Sequence, residues 1–167
     1  MTADNTQNSG DANRLASQLG DQWRHSLDAV LTAQLEHYGS LDALSERQRA
    51  CIESGDSERL MGLLGERTEI IESIAASARR LEPFVASWST IETVLPEAAL
   101  RDVQRRLDAI SGLAESIATR DEEDAKLIRE NKNAIADKLA GVSKNKKAAQ
   151  AYAGPRKSGP RYQDREA

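Results

Sequence analysis

One apolar stripe, recurring at steps of three and four along nearly the whole chain, constrains this sequence more than any other feature. A first run carries Leu19, Trp23, Leu27, Val30, Tyr38, Leu41 and Ile52. A second carries Leu60, Leu64, Arg67, Ile71, Ile74, Leu81, Trp88, Ile91 and Leu95, and a third Leu100, Val103, Leu107, Ile110, Ile117, Ile128, Ile135, Leu139 and Val142. Such steps keep side chains on one face of an α-helix. Runs this long, with little Gly or Pro inside them, predict three rods laid side by side. The expected fold is all-α, an elongated antiparallel three-helix bundle or coiled coil. A bundle with one narrow seam is poor ground for a catalytic pocket and good ground for presenting a long surface to another helix.

Composition agrees with thin seams and wide solvated faces: 39% hydrophobic, 30% charged and only 4% aromatic residues. No run approaches the roughly 18–20 apolar residues of a membrane span, so direct membrane insertion is not expected. The polar, acidic N-terminus lacks the charged-then-apolar pattern of a secretory signal. Cys51 is the single cysteine and cannot close an internal disulfide. Together these features lead us to expect a reducing, cytoplasmic location. The net charge of −4 is uneven: Ser143 to Ala167 holds seven basic residues against two acidic ones, net +5, which leaves −9 for residues 1–142. Two readings of that basic tail stay open. It meets an acidic partner surface, or it is a solvated tail that keeps the chain soluble.

Local punctuation places the elements. Residues 1–14 are polar without apolar periodicity and are expected to be disordered. The first helix is expected over 15–53, roughly 60 Å long, with Gly20 and Gly39 inside it, each costing about 1 kcal/mol relative to Ala. Ser54-Gly55-Asp56 ends it and caps the next, and so short a link folds the second helix back antiparallel. That helix is expected over 57–95, with a kink or break near Arg80–Glu82 imposed by Pro83. Pro96 opens the third, expected over 97–140 and ended by Gly141. Residues 143–167 read as a basic tail, with an Ala-rich segment over 145–152 able to form a short helix.

The residues of catalysis are scattered. His25 and His37 stand twelve apart, about 18 Å along a helix, too far to share a metal within one chain. Cys51 has no His near it in sequence and reads as a small seam hydrophobe. There is no Glu-x-x-His pair, phosphate loop, dinucleotide fingerprint or cysteine cluster. No enzyme activity, metal or cofactor is therefore expected. Asp121-Glu122-Glu123-Asp124 interrupts the third stripe where apolar residues belong. It lacks the alternating ligands and turn glycine of a calcium loop. Either the bundle opens there and the carboxylates are wet or paired, or the seam changes partner there: residues before it pack at home and those after it are offered to a guest. A carboxylate enzyme site at Asp121 and Asp124 is the weakest reading. Seven basic residues with two tyrosines on a tail support only non-specific nucleic-acid contacts, so no nucleic-acid partner is expected.

The order of several elements resembles the FlgN-like flagellar export chaperones. The features are Tyr38, Leu41, Leu44 and Gln48-Arg49, then Ser54-Gly55-Asp56, Leu63-Leu64, Glu66-Arg67, Ile70-Ile71, Pro83 and Trp88. Asp121, Asp124 and Lys146-Lys147-Ala148-Ala149-Gln150-Ala151-Tyr152 follow, so the resemblance runs from about Leu15 to Tyr152. It implies a cytosolic chaperone that binds the C-terminal helical segments of hook-filament junction proteins and delivers them to the export gate, without chemistry or nucleotide. The residues fit such work. Distal third-helix positions Leu127, Ile128, Ile135, Leu139 and Val142, flanked by Asn131, are the expected anchors for a client helix. Alternatively they pack on the first helix around Leu19, Trp23 and Leu27. Lys146, Lys147 and Tyr152 are export-gate docking candidates by the resemblance alone. The competing class is a non-catalytic coiled-coil adaptor. The reversals at Gly55 and Pro96 favour intramolecular packing, hence a monomer or weak dimer.

Overall fold

Two glycines in the left-handed backbone region, Gly20 at φ +87° and Gly55 at φ +72°, divide the early chain. Other residues adopt that region at a steric cost. The computed structural model describes the backbone of residues 3–152 and the side chains of residues 9–147. Its elements are α1 (Ala3–Leu19), α2 (Trp23–Ser54), α3 (Ser57–Ala86), α4 (Trp88–Val94) and α5 (Glu97–Tyr152), with no strand among the described residues. The chain divides into two units, residues 1–125 and 126–167.

The reversal after α2 is made by local chemistry. Gly55 N–H donates to the Ile52 carbonyl at 3.3 Å and Asp56 N–H to the Cys51 carbonyl at 3.0 Å, which satisfies the helix end. The Asp56 carboxylate then accepts from Arg59 N–H at 3.0 Å and caps α3. Helix directions follow from which residues meet. Gln34 Nε2 reaches the Ile74 carbonyl at 3.3 Å, and Ser45 meets Arg67. Residue numbers rise on α2 as they fall on α3, so this pair is antiparallel. Asp28 pairs with Arg106 at 2.7 Å and Asp42 with Arg120 at 2.8 Å. Numbers rise together, so α5 runs parallel to α2.

Within residues 1–125, α2, α3 and the first part of α5 form a three-helix bundle. At one end all five helices contribute to a core of Leu15, Trp23, Leu27, Leu31, Phe84, Ile91, Val94 and Val103. A smaller cluster of Leu44, Cys51 and Leu63 lies toward the Gly55 turn. Burial of each such aliphatic side chain is worth about 1.5–3 kcal/mol, which outweighs the cost of Gly39 inside α2.

The structure departs from the sequence reading at several points. Residues 3–14, expected to be disordered, are the leading turns of α1. Leu15 is fully buried, and Ala12 and Leu19 pack beside it, so the polar turns extend an anchored helix. The helix expected over 15–53 is two, because Gly20 ends α1 and accepts from Trp23 N–H at 3.1 Å in the turn that follows. The break attributed to Pro83 falls at Ser87, after one further turn of α3, rather than at Arg80–Glu82. Gly141 does not end the third helix, and α5 continues through the segment 145–152 to Tyr152. The remainder of the expected tail, 153–167, lies outside the described residues. Leu64 and Ile71, placed in the seam, are exposed. The inward track of α3 is instead Leu60, Leu63, Arg67, Ile70 and Ser77.

Candidate partner-binding surface

With Leu100 at position a, α5 keeps one seven-residue frame without a skip. Positions a are Leu100, Leu107, Ala114, Asp121, Ile128, Ile135 and Val142, and positions d are Val103, Ile110, Ile117, Asp124, Asn131, Lys138 and Asn145. Such a frame keeps one seam along a helix.

Asp121 and Asp124 occupy seam positions where apolar residues would ordinarily stand, and each has a partner. Asp124 is 1% exposed. It accepts from Gln48 Nε2 at 2.8 Å and from Arg49 Nε. Arg49 also donates from Nη2 to Glu123 at 2.8 Å. Those hydrogen bonds to Glu123 and Asp124 hold the Arg49 pKa above its ordinary value. Arg67, buried on α3, donates to Ser45 Oγ and to Asp121 Oδ2, the latter at 2.7 Å. One polar level thus ties α2, α3 and α5 together. In the acidic run Asp121, Glu123 and Asp124 are paired. Among the described residues no group of three or more His, Cys, Asp or Glu is arranged to hold a metal ion. No described helix is long and apolar enough to cross a membrane.

Past this level the frame continues and burial stops. Leu127 is half-buried, and every residue from Ile128 to Lys147 is exposed. Ile128 is 45% exposed, Ile135 59%, and Leu139 and Val142 65% each. Asn131, Lys146 and Lys147 are exposed as well. Tyr152 is the last described residue of α5, and its side chain lies outside the described ones. The candidate anchors therefore share one face of one helix, and all of them but Leu127 are exposed. The alternative reading gives them Leu19, Trp23 and Leu27 as partners. Those three belong to the core with Phe84, Ile91, Val94 and Val103. Within residues 1–125, α5 runs parallel to α2, so its early turns lie on the first turns of α2.

Sequence reasoning did not single out Ser45, Gln48, Arg49 and Arg67 as a set. The signal was present as an arginine inside one apolar stripe and two aspartates inside another. It also missed an exposed apolar face on α3 made by Met61, Leu64 and Ile71. That face competes with the true seam because both repeat at helical spacing.

A family model described as FlgN protein matches residues 23–158, from the first residue of α2 to beyond the described residues. No curated protein and no solved structure matches the chain.

Proposed function

The chain belongs to the FlgN family, a family of flagellar export chaperones, and on that premise we propose that it works in the cytoplasm, binding the C-terminal helical region of hook-filament junction proteins and delivering them to the export gate. The observation that carries this reading is the exposed stripe of Ile128, Ile135, Leu139 and Val142 on a helix whose upstream seam is already filled. Exposed aliphatic side chains at seam positions lose free energy to water until a second apolar surface covers them. An amphipathic client helix supplies that surface, with anchors at three- and four-residue spacing. The client gains as well, because its own apolar face would otherwise self-associate.

In this reading Leu127, Ile128, Ile135, Leu139 and Val142 hold the client, Asn131 flanks them, and no bond is made or broken. Lys146, Lys147 and Tyr152 follow on the same helix and are the residues for docking at the export gate. Replacing Leu127→Ser together with Ile135→Ser is expected to abolish capture of a junction protein's C-terminal segment while circular dichroism stays helical. Unchanged capture would mean the client sits elsewhere. Deleting residues 144–167 is expected to leave capture intact and impair export. Loss of capture on that deletion would place the client site in the removed segment.

A further inference from the structure

We propose that the distal surface of α5 selects its occupant by charge: the partner is an amphipathic helix whose apolar stripe is flanked by Asp and Glu. This rests on the docking reading above and adds the chemistry of the guest. In residues 126–147 seven basic residues face two acidic ones, net +5. Among the described residues the one ion pair in this stretch is Lys126–Glu130 at 3.9 Å. Among the described residues none of its other cations is in an ion pair, and two of them border the stripe. Lys138 stands at d between Ile135 and Val142, and Lys132 stands beside Asn131 at the next position.

The positions decide which occupant fits. Ile128, Ile135 and Val142 are apolar and β-branched at a, while Asn131, Lys138 and Asn145 are polar at every d. A helix laid on this stripe buries a-position carbon against its own apolar residues and must present acceptors to the d positions. Carboxylates do so and neutralise the charge at once. A second copy of this chain would bring Lys132 and Lys138 against their equals, a repulsive pairing. An anionic membrane surface offers the right charge. The stripe, however, is interrupted by a polar residue in every heptad, and residues 126–147 contain no aromatic side chain. Both features are opposite to those of a helix that lies in an interface.

The test uses the full-length chain and two synthetic helices with the same leucine stripe, one flanked by Glu and one by Gln. Fluorescence anisotropy is expected to show the Glu-flanked helix binding about tenfold more tightly at low salt, the sum of a few exposed pairs. The advantage should close near 1 M salt, where screening acts within about 3 Å. Lys132→Gln with Lys138→Gln is expected to bring the two helices level, and Lys132→Glu with Lys138→Glu to favour the Gln-flanked one. Equal affinity for the wild-type chain, or a preference that the Lys→Gln pair leaves unchanged, overturns the proposal. So does tighter binding to vesicles of equal parts phosphatidylcholine and phosphatidylglycerol than to either helix. If both helices bind equally and Leu127→Ser with Ile135→Ser weakens both, charge selection falls and the docking surface stands. If neither helix binds, charge selection falls too, and capture of the junction-protein segment decides the docking surface separately.

Discussion

Upstream of Asp121, the seam of α5 reads Leu100, Val103, Leu107, Ile110, Ala114 and Ile117; downstream of Asp124 it reads Ile128, Asn131, Ile135, Lys138, Val142 and Asn145. The frame is the same and the chemistry at d is not. Where partners from the same chain cover the helix, both seam positions are apolar and Val103 and Ile117 are buried. Where the helix is uncovered, every second seam position is polar. An exposed seam of full width would be a large apolar patch with an aggregation hazard. Halving it keeps an apolar stripe and leaves enough polarity for the uncovered face to remain in water.

The contrast can be broken by substitution. Ile91→Ala, in the fully buried core, is expected to cost about 2–5 kcal/mol by leaving a cavity, and to lower the thermal midpoint by roughly 10 °C. Ile135→Ala should cost under about 0.5 kcal/mol, since nothing covers it. Similar losses at the two positions, in matched thermal melts, would erase the difference between the regions. Asp124→Ala strips Gln48 and Arg49 of their shared acceptor and is expected to cost about 3 kcal/mol. Adding Arg49→Ala should then cost less than it does alone, which a double-mutant cycle reads directly. Additive losses would mean that the polar level is not one network. The smallest change in global midpoint belongs to Gly141→Ala. The added methyl meets nothing within 4 Å, and helix propensity favours it by about 1 kcal/mol. Slower amide exchange around residue 141 with an unchanged global midpoint is expected. A raised global midpoint would show the distal helix to be coupled to core stability.

The all-α class was legible because apolar residues recur at helical spacing over most of the chain. The reversal at Ser54-Gly55-Asp56 was legible because its chemistry is local. What escaped were outcomes decided at a distance. Gly20 and Gly39 look alike in sequence, yet only Gly20 ends a helix, since Leu15 and Trp23 must both reach one core. Gly141 looks like a terminator, but a single glycine costs only about 1 kcal/mol, and the helix runs through it. The polar leading turns of α1 carry no periodicity of their own and are helical because Leu15 is anchored. At the candidate surface the residues could be named from their spacing. Which turns of α5 lie on the first turns of α2 could not, because that depends on helix direction. The partners of Asp121 and Asp124 lie 54 to 76 positions away, beyond any local pattern.

The ladder of Asp28 with Arg106 and Asp42 with Arg120 places its two rungs fourteen residues apart on both helices. Fourteen residues are two complete repeats of the seam, so each rung finds its mate at the same rotation about the axis. An insertion or deletion of one residue between the rungs turns everything after it by about 100° and separates one pair. Length can therefore change here only by whole sevens, made in α2 and α5 together and answered by the same step in α3. Relatives that differ in size across this stretch should fall into discrete classes instead of a continuous spread.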